Sequence, residues 1–117
     1  MQYLVRMDIA DSGRAKSPQE GLTFIEQLVL PTLERCKALA AEGKIVAGGP
    51  VAGTIGLALV IEAESIQALD DLLEDLPLWP RMKTVVTPLT TFDGRAAALR
   101  PRLERLRGLL QSAQAAR

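Results

Sequence analysis

Arg6 and Asp8 stand two residues apart at the end of YLVRM (residues 3–7), a short apolar stretch that reads as a strand. A period of two puts both side chains on one face. There a guanidinium and a carboxylate can hold a ligand, or simply pair with each other. Glu62 closes a second apolar run and is either a reacting acid or a solvated strand end. Arg81 and Lys83 follow Trp79, the only tryptophan, which is set between Pro77-Leu78 and Pro80. What the chain lacks narrows the chemistry. It has no histidine, which excludes Ser-His-Asp and Cys-His nucleophilic sites and haem ligation through His. The side chain that titrates near neutrality is missing with it. The single cysteine, Cys36, falls on an apolar helical face and reads as core. With one Cys and no His, a zinc site has too few ligands. Gly48, Gly49, Gly53 and Gly56 build neither a Walker loop nor a dinucleotide fingerprint. Carboxylates and basic side chains remain as the chemistry on offer.

The frame that must position them is one domain's worth of chain, 117 residues. Hydrophobic residues make up 48% and aromatics only 3%, so the core is aliphatic. Lys+Arg and Asp+Glu both number 14, a balance that argues against a general nucleic-acid surface. One cysteine allows no internal disulfide, which fits a reducing compartment. The start, MQYLVRMDIA, shows no basic segment followed by an apolar run, so no signal peptide is read there. The longest nearly apolar run, residues 51–61, falls short of the roughly 20 residues a membrane helix takes. A cytoplasmic location is expected.

Ser17, Pro18 and Glu20 form a helix start, with a cap, a first-turn proline and a capping box. Leu22, Ile25, Val29, Leu33, Cys36 and Ala40 follow at helical spacing and predict one buried face. Pro31 should bend or divide this helix, and Gly43 should stop it. IVAG (45–48) and TIGLALVIE (54–62) predict two strands. Ser65 caps a second helix with Ile66, Leu69, Leu72, Leu73 and Leu76 on its apolar side, closed by Pro77 and Pro80. MKTVVTPLTTF (82–92) predicts the last strand. The order β-α-β-β-α-β is the ferredoxin-like pattern, an α+β fold with helices on one sheet face. The strand runs show little polar alternation, so the other face is expected to be covered too, by the sheet of a second subunit. Residues 1–93 form this domain. Residues 94–117 form a helical extension in which Leu99, Leu103, Leu106, Leu110 and Ala113 repeat at spacings of four and three. Arg95, Arg100, Arg102, Arg105, Arg107 and Arg117 line much of the rest. The seam predicts packing on the same or a neighbouring subunit. Arginines without aromatic partners are a thin basis for a nucleic-acid or membrane arm, and neither partner is expected.

SIQALDDLLEDLPLWPRM (65–82) resembles the muconolactone isomerase family, in which a Ser-capped helix runs into Leu-Pro-Leu-aromatic-Pro-Tyr-Met. Leu76, Pro77, Leu78, Trp79, Pro80 and Met82 match, and Arg81 stands in the Tyr slot. YLVRM looks like the family's first strand, with Leu4 where that strand can carry a histidine. EGKIVAGGP (42–50) is more weakly similar to the YCII-like domains, whose histidine is absent here. The resemblance implies a dimeric α+β barrel that can build into a larger assembly, acting without metal or other cofactor. Its chemistry is a proton shift within a small anionic, unsaturated lactone, which needs a base, a dienolate stabiliser and a cation for the carboxylate. On that reading Asp8 or Glu62 is the base, and Arg6, Arg81 and Lys83 hold the carboxylate or enolate. Trp79 closes one end of the pocket or plugs the subunit interface. The alternative is a non-catalytic, oligomeric binding or structural protein of the same fold.

Overall fold

Alternation along the first strand decides the two faces of the sheet. Tyr3, Val5, Met7 and Ile9 are buried, while Gln2, Leu4 and Arg6 are exposed and Asp8 is half-buried. The computed structural model describes residues 1–115; Arg117, with the end of the tail, lies outside the described residues. The elements are β1 (Gln2–Ile9), α1 (Pro18–Phe24), a π-helical turn (Ile25–Val29), α2 (Leu30–Ala41), β2 (Ile45–Pro50), β3 (Gly56–Glu62), α3 (Ile66–Glu74), β4 (Met82–Leu89) and α4 (Phe92–Ala115). Single 3-10 turns occupy Asp11–Gly13 and Trp79–Arg81. The strands form one antiparallel sheet in the order β2-β3-β1-β4, the ferredoxin-like arrangement.

One face of the sheet carries the core. Val5, Met7, Leu59 and Ile61 pack with Leu39 of α2 and with Leu69, Leu73 and Leu76 of the α3 region, all 2% exposed or less. Ser17 and Ser65 cap α1 and α3 as the sequence predicts, each accepting a backbone N–H three residues on, at 3.2 and 3.1 Å.

The first helix departs in part from its predicted face. Leu22, Ile25 and Ala40 are exposed, while Val29, Leu33 and Cys36 stay packed inward and Phe24, Leu28, Thr32 and Leu39 join them. A π turn at Ile25–Val29 lies just ahead of Pro31. Pro31 has no N–H to offer the preceding turn, and the helix widens by one residue rather than breaking. The last strand also ends early, at Leu89. The Thr91 hydroxyl accepts from the Gly94 N–H at 2.9 Å and starts α4, so Phe92 belongs to the helix. β2 holds a bulge between Ile45 and Ala47, and Gly48 beside it has φ +100° with its α-carbon pressed on the Ala58 carbonyl.

The second sheet face is mixed rather than apolar. Leu4 and Val85 are 42% and 51% exposed there, among Arg6, Asp8, Lys83 and Thr87. Only the central strand β3 is apolar on both sides, with Ala58 and Val60 half-buried. No helix among the described residues is long and apolar enough to cross a membrane.

Candidate functional site

Strand register brings three of the candidate residues together. Arg6 and Asp8 lie on the open face of β1, and Lys83 of β4 pairs in register with Asp8. Ala58 and Gly56 of β3 stand opposite Arg6 and Asp8 on the other side. Small residues there leave the charged corner uncrowded: a β-carbon on Gly56 would lie 3.0 Å from the Asp8 carboxylate and 2.9 Å from the Met7 carbonyl. The Arg6 Nε–H donates to both Asp8 oxygens at 3.1 Å, and its Nη2 lies 3.0 Å from Oδ1. One N–H shared between two oxygens is a looser hold than the two-pronged fork by which Arg grips carboxylate ligands, so the guanidinium can be drawn to a better-placed carboxylate. Lys83 makes no ion pair with a described residue, so one cation at this corner is unneutralised.

Glu62 lies elsewhere. It ends β3 opposite Gln2, and the N-terminal ammonium of Met1 donates to its Oε1 at 2.7 Å. Six residues of β1 separate Gln2 from Asp8, about 20 Å at 3.3 Å per residue. One small molecule cannot touch both carboxylates within a single chain.

Trp79 and Arg81 occupy the turn that feeds Lys83 into the sheet. Trp79 is half-buried against the main core. Its N–H donates to the Leu76 carbonyl at 2.9 Å, and Arg81 N–H to that of Leu78 at 3.0 Å, so the two prolines sit in a hydrogen-bonded corner. The Arg81 guanidinium donates to the Gly13 carbonyl at 3.2 Å and lies 5.7 Å from the centre of the Phe24 ring. It is turned toward α1, on the side of β4 away from the open face, where it lines an open groove of ≈ 280 Å³ with Gln19, Thr23 and Phe24.

Two residues that no motif singles out hold this corner in place. Thr32 is fully buried, and its hydroxyl accepts the Leu78 N–H at 3.0 Å, tying α2 to the turn before Trp79. Its signal in the sequence is a lone hydroxyl on an otherwise apolar helix face. Gly13 lies against the Arg81 carbonyl so closely that any β-carbon would collide with it. Cys36, on the inward side of α2, has its thiol pKa pushed up by burial, with Arg35 pulling weakly the other way. A protonated thiol is a poor nucleophile, which fits a packing role.

The muconolactone delta-isomerase family matches residues 1–94. The chain belongs to that family. The crystal structure of a muconolactone isomerase superposes with a TM-score of 0.64 at 26% identity, covering 78% of this chain and 90% of that one. The 5-chloro-2-hydroxyhydroquinone dehydrochlorinase of Burkholderia phenoliruptrix, solved with 2,5-dihydroxybenzoquinone, shares the fold at TM-score 0.58 and 22% identity, over 80% of this chain and 98% of that one. No curated protein matches the chain. The family match covers the sheet, the helical segments packed on it and the Trp79 corner, and stops in the first turn of α4.

Proposed function

We propose that this member of the muconolactone delta-isomerase family moves a proton within a small, cyclic, anionic substrate bound on the open sheet face at Arg6, Asp8 and Lys83. The observation that carries the reading is their convergence: a carboxylate, a guanidinium and an unpaired ammonium on adjacent strands of a family scaffold. The Asp8 carboxylate takes a proton from the γ-carbon of the conjugated lactone. The C–H electrons move into a dienolate, whose oxygen is stabilised by Lys83. The same carboxyl group then returns the proton to the α-carbon, next to the carbonyl. No electrons are gained or lost, so the balance calls for no redox partner. Arg6 exchanges its contact with Asp8 for one with the substrate carboxylate, which frees the base as the substrate binds. A second copy's sheet laid over Leu4, Val60 and Val85 excludes water, and a desolvated carboxylate is a stronger base. Trp79 and Arg81 form the rigid rim that sets the start of β4.

The test is spectrophotometric isomerisation of muconolactone by the full chain. Turnover lost in Asp8→Asn, with KM raised in Arg6→Ala and kcat lowered in Lys83→Met, supports the assignment. Turnover that survives Asp8→Asn but not Glu62→Gln moves the base to the other end of the sheet. A second reading, a non-catalytic binding protein of the same fold, is favoured by one observation: both Asp8 oxygens are already engaged by Arg6. Saturable binding of a small lactone acid without turnover would select it.

A further inference from the structure

The zero net charge of the chain hides a division. Before residue 92 there are eight basic and twelve acidic side chains; from 92 onward there are six arginines and two acids. The folded domain is therefore negative by four and the extension positive by four. α4 is exposed along its whole length. Its apolar stripe is also longer than the leucine seam: Phe92, 97% exposed, and Ala96 extend the four-three spacing backward to the edge of the domain. Helices whose apolar face touches nothing are marginal in water, and an apolar stripe about 27 Å long at 1.5 Å per residue marks an interaction surface.

Charge decides what covers it. If α4 paired with another α4, the positions flanking the stripe would be Arg95, Arg100, Arg102 and Arg107. In a parallel pair, Arg95 meets Arg100 and Arg102 meets Arg107, which like charge disfavours. One flanking residue, Arg107, is held by Glu104 of its own helix at 3.2 Å, and the others make no ion pair with a described residue. Among the described residues, three grooves of the folded domain have floors of aliphatic side chains; the one between α3 and β4 is small, ≈ 200 Å³, with Asp70 as its one acid. The one between α2 and β2 is lined by Leu33, Cys36 and Ile45 under Lys37, the wrong sign for an arginine-flanked helix. The third, ≈ 620 Å³ between α2 and α3, has a floor of Leu39, Ala68 and Leu72 and a rim bearing Glu64, Asp71 and Asp75. Its own cations are already placed against acids, the Met1 ammonium at 2.7 Å from Glu62, Arg35 at 3.9 Å from Asp75 and Lys44 at 3.4 Å from Glu42, which leaves Glu64 and Asp71 as the rim acids outside an ion pair with a described residue. Exposed Asp70 and Glu74 extend the negative surface along α3.

We infer that the Phe92–Leu110 stripe of α4 docks, arginines outward to the rim, in the α2–α3 groove of a second copy of this chain. The contact is separate from the open sheet face and does not depend on the reaction proposed there. It joins one copy's extension to the next copy's domain.

Cross-linking between distinguishable chains tests it. In a Cys36→Ser background, full-length chains carrying Leu103→Cys are mixed with isotope-labelled chains carrying Ala68→Cys and mildly oxidised. The expected product is a mixed disulfide between the two chain types, with its yield falling at least about tenfold when Asp71→Lys and Asp75→Lys are added to the Ala68→Cys chain. A predominance of Leu103→Cys homodimers would overturn the inference in favour of α4 pairing with itself. Absence of any cross-link, or a mixed product indifferent to charge reversal, would also overturn it. So would a single chain carrying both cysteines that closes only on itself, since that places α4 on its own groove.

Discussion

Replacing Thr32 by Val deletes one hydroxyl at nearly constant volume. The hydroxyl is the sole bond between α2 and the Leu78 N–H, at 3.0 Å, in a position with no solvent exposure. A water cannot easily substitute there, because Thr32 and Leu78 are both buried. The variant therefore leaves a buried donor unsatisfied, which costs about 1–3 kcal/mol. For a domain of this size that is a fall in thermal midpoint of roughly 5–20 °C. Thr32→Ser keeps the acceptor and loses a methyl group, a different cost of about 1 kcal/mol. The two variants separate in hydrogen exchange. The Leu78 amide should stay protected in Thr32→Ser and exchange much faster in Thr32→Val, with Trp79 fluorescence reporting the loosened turn. A Thr32→Val protein that melts with the parent and keeps a protected Leu78 amide would refute the claim that this bond fixes the corner.

Gly13→Ala pushes a methyl group into the Arg81 carbonyl, which also accepts the Ala10 N–H at 3.1 Å. It should cost about 1–3 kcal/mol in a urea titration. Asp8→Asn should change stability by less than about 1 kcal/mol, since an ion pair this exposed is weak. Any loss of turnover is then chemical, and a large drop in melting temperature would show the pair to be structural instead. Cys36 should react with a disulfide reagent at neutral pH more slowly than a free thiol, because burial raises its pKa. As pH rises through about 8.5 the unfolded thiol releases its proton first. The native state then binds more protons, and stability falls with pH. Cys36→Ser should remove that part of the slope in alkaline melts.

The order of elements was legible because each signal was local. Ser17, Ser65, Gly43 and the paired prolines around Trp79 mark ends, and short aliphatic runs mark strands. The buried face of the first helix was half legible: Val29, Leu33 and Cys36 pack inward as their spacing predicts, while Phe24, Leu28, Thr32 and Leu39 join them around a π turn whose form Pro31 does not announce. The open face was half legible. β3 reads as apolar on both sides because it lies inside the sheet, but Leu4, Arg6, Asp8 and Lys83 show that its neighbours alternate. The candidate site depends on register. That Lys83 meets Asp8, while Glu62 lies about 20 Å away along β1, follows from which residues pair across strands, and no spacing along the chain encodes that. Arg81 was read as a ligand to the substrate. Its contacts with Gly13 and Phe24 arise from residues nearly seventy and sixty positions earlier.

The two outermost strands share a property that bears on how copies of this chain can meet. β2 is bent by its bulge at Ile45/Ala47 and the left-handed Gly48, and ends in Pro50. β4 carries Pro88 near its end. A proline offers no donor to an incoming strand, and a bulge breaks the even ladder that such a strand would need. Both margins of the sheet are thus poor templates for sideways growth. Copies are steered away from continuing the sheet without limit and toward contacts through its flat face and through α4.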